Sequence, residues 1–224
     1  MTLAANPPKK AYKSLPLEGM LATWYAKNTA SLLHEFEAEA HRLAQVLRPH
    51  SDVLEVAPGP GYLAIALARR GSFRIAGLDI SRSFIRIASE NAAKAGVDIA
   101  FRHGDAADMP YPANAFDFIV CRAAFKNFSD PVGAMREMHR VLRPGGQALI
   151  IDMRRDASNE AIDETVDGMK LGPVNALFVR AVFRYSLRKR AYSRADFLGM
   201  AEQTPFGGAD IKAEPLGFEV RLRK

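Results

Sequence analysis

The sequence predicts an α/β fold: a doubly wound seven-stranded sheet, mostly parallel with its last strand reversed, and a helical insertion after the fifth strand. Three observations lead there. Short apolar runs alternate repeatedly with segments of helical spacing, which implies a parallel sheet covered on both faces. The run VLEV enters the turn APGPG and leaves it as the helical YLAIALA, a strand, glycine turn and helix in succession. Finally, two short strand-like runs close the chain, separated only by Glu214-Pro215-Leu216-Gly217. So short a link cannot make a parallel crossover, so these two strands should be antiparallel neighbours.

The elements follow in order. Residues 29–47 carry apolar side chains at helical spacing, and Pro49 ends that helix. Residues 53–56 form the first strand, 62–70 a helix and 73–78 the second strand. Ser81 caps a helix that runs to about Ala95 and closes at Gly96. Residues 97–101 and 116–121 are the third and fourth strands. Pro131 opens a helix that stops sharply before Pro144-Gly145-Gly146, and 147–153 is the fifth strand. Residues 156–191 read as a helical insertion and 193–202 as a further helix, followed by strands near 210–213 and 217–222. The expected organisation is an N-terminal arm and lid over 1–28, docked if at all through Tyr12 and Leu15, and one domain over 29–224.

Composition narrows the function. A net charge of +6 admits an anionic partner but does not demand one. Cys121 is the only cysteine, which rules out an internal disulfide and a cysteine zinc site and points to a reducing cytoplasm. The histidines show no metal-ligand spacing, so no metal is expected. The first residues lack the apolar core of a secretory leader, and no run approaches the roughly 20 residues of a membrane span.

Parallel sheets bind ligands at the carboxyl ends of their strands. Four features fall on that edge. The glycine turn lets a ligand approach the backbone at a helix N-terminus. Asp79, ending the second strand, can accept both hydroxyls of a ribose. Asp105, after the third, can accept from an adenine amino group while the Ala106 N–H faces a ring nitrogen. Glu55 is a carboxyl inside an apolar strand, tolerable beside a positive ligand or the N–H groups of the loop.

The segments VLEVAPGPG, GLDIS, GDAADMPYP, FDFIVCRAAFKNFSDP and REMHRVLRPGGQALIIDM resemble the successive motifs of class I S-adenosylmethionine-dependent methyltransferases, whose sheet is Rossmann-like. The resemblance covers residues 18–153 and is nearest to the ubiquinone/menaquinone C-methyltransferases and other small-molecule enzymes. It implies that Glu55, Ala57, Gly59 and Gly61 line the methionine side of S-adenosyl-L-methionine. It implies that Asp79 holds the ribose, that Ile80 packs on the adenine and that Asp105 and Ala106 read the adenine edge. Cys121 and Arg122 would lie near the sulfonium. The departure is Ala57, where the family usually has glycine. Because Ala57 precedes Pro58, it is expected to be extended, a conformation that needs no glycine.

Gly59, Gly61, Ala64 and Asp79 also satisfy a dinucleotide fingerprint, so an NAD(P)-dependent oxidoreductase is the alternative. Glu55 opposes it, as do Pro58 and Pro60, which remove N–H donors a pyrophosphate would use. A protein that binds S-adenosylmethionine without catalysis is the second alternative. A nucleic-acid substrate is disfavoured: the position after the fourth strand reads CRAA, not an Asp/Asn-Pro-Pro-aromatic run.

Methyl transfer needs alignment first and a base only when the acceptor must lose a proton. The expected acceptor is a small molecule, with acidic and lipid-like compounds among the candidates. Trp24 and Tyr25 are candidates for an aromatic lid. Phe125, Lys126 and Asn127 are candidates for the acceptor pocket, with Phe128 as a further wall. Tyr25, His103 and Lys126 are the candidate bases, since relatives often carry histidines where Lys126 and Asn127 stand; Asp152 is a further one. Arg154 and Arg155 could face the same pocket. In the insertion, Arg180, Arg184 and Arg188 recur at i, i+4 and i+8 with no acidic residue between Asp167 and Asp196. Acids elsewhere in the fold, an anionic acceptor or an anionic membrane surface would offset them.

Overall fold

A computed structural model describes residue 13, residues 17–169 and residues 171–224. The rest of the expected N-terminal arm, Tyr12 and Leu15 included, lies outside the described residues. The chain opens with α1 (Gly19–Thr29), passes through a 3-10 turn and continues as α2 (Leu33–Ala44). Then come β1 (Asp52–Val56), α3 (Tyr62–Ala68), β2 (Arg74–Asp79), α4 (Arg82–Ala95), β3 (Ala100–His103) and β4 (Phe116–Arg122). A second 3-10 turn, Phe125–Asn127, leads to α5 (Pro131–Val141) and β5 (Leu142–Met153). The insertion holds α6 (Asn159–Gly168) and a continuous helical stretch made of α7 (Pro173–Ala181), a π-helical segment Val182–Leu187 and α8 (Arg188–Arg190). The chain closes with α9 (Arg194–Glu202), β6 (Asp210–Ala213) and β7 (Gly217–Arg223).

The sheet order is β3-β2-β1-β4-β5-β7-β6, with β7 antiparallel to both of its neighbours and every other pairing parallel. The strand order reverses between β1 and β4, which makes that junction the switch point. Side chains alternate across the sheet, as a two-residue period requires. Leu54, Ile119, Cys121 and Ile150 pack on one face with Met135 and Met138 of α5 and Phe197 of α9. Val53, Phe118, Val120 and Leu149 pack on the other with Leu43 of α2 and Leu63 and Leu67 of α3.

Three boundaries differ from expectation. The third strand begins at Ala100, because the turn at left-handed Gly96 also draws in the Val97 N–H, which donates to Ala92 O at 3.1 Å. The helix from Pro131 ends at Val141, before Pro144-Gly145-Gly146 as expected, but the fifth strand starts at Leu142, not at residue 147, and carries these residues as a register shift opposite Phe116–Phe118. Left-handed Gly145 and the chain end close that shift, its N–H donating to Lys224 O at 2.9 Å. The helix expected to begin at residue 29 is preceded by α1, whose buried side chains are only Ala22 and Ala26, too sparse a stripe to read as amphipathic.

Candidate active site

The β1–α3 turn sits at the switch point. Ala57, Gly59 and Gly61 all have positive φ, at 58°, 55° and 79°. The extended conformation expected of Ala57 is therefore wrong. Its N–H makes the last ladder bond of β1, to Leu78 O at 2.7 Å, and the chain must then reverse at once into the turn. Tertiary pairing overrides the local influence of Pro58, and Ala57 bears a left-handed strain of about 1–2 kcal/mol. β4 ends the same way. Ala123 has φ 59°, and its N–H donates to Ile151 O at 2.7 Å. Two left-handed alanines thus flank the switch point.

The glycines divide their work. A Cβ on Gly59 would meet nothing within 4 Å, so this residue faces open space. A Cβ on Gly61 would stand 3.0 Å from both Ala88 and Phe101. Gly61 is required for packing beneath α4 and for the left-handed start of α3.

The two carboxyls are buried and held by backbone N–H groups. Glu55 Oε2 accepts from Ala64 N at 2.9 Å. Asp79 Oδ2 accepts from Gly59 N at 3.1 Å and Oδ1 from Ser81 N at 2.8 Å, tying the glycine turn to the cap of α4. Burial pushes the Glu55 carboxyl up to about 8 and that of Asp79 to about 6, against the pull of these hydrogen bonds. At the opposite edge of the sheet the pattern reverses. Asp52 is paired with Arg74 and Arg143, and the Arg74 guanidinium holds its carboxyl below the usual range. Acids at the amino edge have cationic partners, whereas Glu55 and Asp79 at the carboxyl edge make no ion pair among the described residues.

Asp105 Oδ1 accepts from Ala107 N at 2.9 Å and shapes its own loop. Glu137 and Arg140 of α5 pin that loop, accepting from Met109 N and donating to Met109 O and Tyr111 O. The half-buried Ala106 packs on the core, and Ile80 is half-buried beside Asp79. His103, in register with Asp79, is exposed.

Next to the carboxyl edge, α1 lies over α4. Glu18 accepts from Arg82 N and Ser83 N at the start of α4, and the Tyr62 hydroxyl donates to Ala26 O at 2.9 Å. Tyr25 packs edge-on against Phe84, and burial pushes its phenol up, with Arg122 opposing and Asp79 adding. Trp24 is exposed. Cys121 is wholly buried within electrostatic reach of Asp152, Lys126 and Glu55, and burial pushes its thiol up. Arg122 turns to α2, bonding Glu35 Oε2 at 2.8 Å and stacking on Phe36.

Several candidate acceptor residues are already engaged. Phe125 is fully buried in an aromatic cluster with Phe128, Tyr192 and Phe197, so it is core and not a pocket wall. Lys126 is buried and donates to Asp152 Oδ1 at 2.7 Å and Ala123 O at 2.6 Å, while its backbone N–H donates to Asp152 Oδ2. Its charge is met by Asp152, which removes both residues as free bases and Lys126 as an anchor for an anionic acceptor. The Asn127 side chain accepts from Arg190. Arg154 pairs with Asp156, and Arg155 with Asp196. Arg180 pairs with Asp163 and Asp167, and Arg184 with Asp163. Arg188 donates to Ala157 O and Asn159 Oδ1. Arg180 and Arg184 are thus offset within the insertion, while Arg188 meets only neutral oxygens. Glu18, Glu35, Tyr62 and Arg190 went unread in the sequence, since their partners stand 36 or more residues away in the chain.

A reversed β7 beside β5, a glycine turn at the switch point and acidic residues at successive strand ends define the Rossmann-like fold of class I S-adenosylmethionine-dependent methyltransferases. Residues 54–150 match the family model described as a methyltransferase domain. The chain is 37% identical over 107 residues to demethylmenaquinone methyltransferase of Deinococcus radiodurans, covering 47% of this chain and 44% of that one. It is 34% identical over 101 residues to the Thermus thermophilus enzyme of the same name, covering 45% and 46%. The chain therefore spans less than half the length of these curated relatives. A solved structure from Methanococcus maripaludis, assigned as an S-adenosyl-L-methionine-dependent methyltransferase, superposes with a TM-score of 0.76 at 23% identity, over 99% of this chain and 97% of that one. None of these likenesses supports a nicotinamide enzyme.

Proposed function

We propose that this protein binds S-adenosyl-L-methionine at the carboxyl edge of its sheet and transfers the methyl group to a small-molecule acceptor. The single observation that carries this reading is the pair Glu55 and Asp79, buried at that edge with no ion pair among the described residues. A cationic, hydroxyl-bearing and phosphate-free cofactor matches what they lack. Glu55 would face its positive end, and the Asp79 oxygens keep lone pairs for a ribose diol beyond their N–H bonds. Open Gly59 would let the cofactor approach the backbone. Asp105 and Ala106 would border its base, and Tyr25 with Arg122 the reacting end. When bound, the cofactor supplies a methyl group already activated by a sulfonium.

The chain's part is then alignment and exclusion of water. The strained turns at Ala57 and Ala123 fix the backbone on both sides of the switch point. Lys126, Asp152 and Asn127 hold the loop after β4, so they act as positioning residues. With the basic side chains of this region engaged, we favour an uncharged, apolar acceptor over an acidic one. The buried lone thiol of Cys121 suits a reducing cytoplasm, where we place the protein. Among the described residues no helix is long and apolar enough to cross a membrane.

Calorimetry with S-adenosylmethionine and with NAD tests the cofactor, and S-adenosylhomocysteine release across phenols, quinols, carboxylates and lipids tests the acceptor. S-adenosylmethionine binding with turnover of an apolar compound is the expected result. Binding of NAD alone would overturn the reading.

A further inference from the structure

Apart from Val46, every large apolar side chain found exposed among the described residues falls in two stretches, 20–33 and 171–185. The stretch that matches the family model exposes none of them. In the helical stretch from Pro173 to Arg190, two apolar stripes lie on opposite faces. Ala176, Val179, Phe183 and Leu187 face inward onto α6. Val174, Leu177, Phe178 and Tyr185 face outward, 78%, 70%, 62% and 67% exposed. A surface helix ordinarily has one apolar stripe, turned to the core. The second stripe here has no partner.

The charge along the same helix is also uneven. Arg180 and Arg184 are neutralised by Asp163 and Asp167. At the far end, Arg188 and Arg190 meet only neutral oxygens, and Lys189 is exposed. The outward stripe therefore ends in uncompensated positive charge. The second exposed stretch, on α1, carries Met20, Leu21 and Trp24 beside Lys27. A cleft of about 540 Å³ lies between the end of the first stretch and α6, which precedes the second, lined by Leu32, His34 and Glu35 on one side and Glu164, Thr165 and Met169 on the other. Its Glu35 wall leads through Arg122 to the end of β4.

We propose that the outward stripe of the helix from Pro173 to Arg190, together with the exposed face of α1, docks this protein on a lipid surface bearing anionic headgroups. Apolar side chains enter the boundary between headgroups and acyl chains, and the cationic helix end meets the headgroups. A lipid surface fits better than a folded protein. The exposed side chains lie on the surfaces of two helices and end in unpaired cationic groups, an apolar face with a cationic border that matches an anionic bilayer surface. The inference stands on exposure and charge and does not depend on the proposed chemistry.

The test uses the full chain and needs no acceptor. Trp24 is the only tryptophan, so its emission reports on α1 directly. With vesicles of phosphatidylcholine and phosphatidylglycerol, the protein should float with the lipid, and Trp24 emission should shift to the blue and be quenched by brominated acyl chains. Partitioning should fall at least tenfold in the variant Val174→Ser, Leu177→Ser, Phe178→Ser, and severalfold in Lys189→Glu. All four sites are exposed, and unchanged circular dichroism and S-adenosylmethionine affinity would show that the variants fold. Wild-type protein left in the supernatant, with Trp24 unquenched, would overturn the proposal. So would a dimer that the triple-serine variant dissociates while vesicle binding is absent, since the stripe would then serve a second copy.

Discussion

Replacing Glu55 by glutamine should change how the protein responds to pH, and the direction follows from the site. The Glu55 carboxyl is raised from 4.5 to about 8 and that of Asp79 from 3.8 to about 6, in both cases mainly by burial. Between those limits the folded chain retains protons that the unfolded chain has released, so stability falls as pH rises. From about pH 6 to 8 Glu55 is the main contributor, with a slope approaching ~1.4 kcal/mol per pH unit and a total loss on the order of 2–3 kcal/mol. Glutamine keeps an oxygen for the Ala64 N–H but cannot ionise, so Glu55→Gln should flatten that slope. The cofactor acts in the opposite sense. A cationic ligand favours ionised Glu55, so binding near pH 7 should release a proton, and affinity should rise toward pH 8. Urea unfolding from pH 5.5 to 8.5 measures the first effect. Calorimetry in buffers of different ionisation enthalpy counts the proton. Equal slopes in wild type and Glu55→Gln, with no proton released on binding, would refute the reasoning.

Two further substitutions probe the scaffold. Ala57→Gly relieves a left-handed strain of about 1–2 kcal/mol against about 0.5–1 kcal/mol of added chain entropy. It should raise stability by up to about 1 kcal/mol, and a lower urea midpoint would show that the turn is unstrained. Lys126→Met leaves buried Asp152 unpaired and should cost about 3–5 kcal/mol, much of it recovered in Lys126→Met/Asp152→Leu. A single-variant cost below about 1 kcal/mol would mean that the pair does not hold the loop.

The carboxyl edge of the sheet was legible because its signals are local. A carboxyl inside an apolar strand, an Asp ending a strand and a serine before a helix each announce themselves within a few residues, and Glu55, Asp79 and Ser81 stand where the pattern puts them. Ala57 was misread for the same reason. The pre-proline preference is local, and a ladder bond to Leu78 O outweighs it. The acceptor side was misread because its partnerships are distant. Lys126 looks free until Asp152 arrives from β5, and Arg180 looks free until α6 folds against it. A row of like charges shows that something must offset it, but not what.

That contrast has a physical basis. The carboxyl edge is built from strand ends and the first turns of the following helices, whose geometry is set largely by sheet pairing. Residues 54–150, the stretch shared with the methyltransferase domain model, supply all of Glu55, Ala57, Gly59, Asp79, Asp105 and Arg122. The rest of the site comes from outside that stretch. Glu35 on α2 takes up Arg122, Asp152 on β5 takes up Lys126, and Arg190 takes up Asn127. Each of these contacts removes a charge or a polar group from the side where an acceptor would lie. The flanking segments therefore engage the charged and polar groups around the end of β4. On the proposed reading, such a site would discriminate against charged acceptors by leaving them no partner, and that choice would rest on α2, the end of β5 and the insertion.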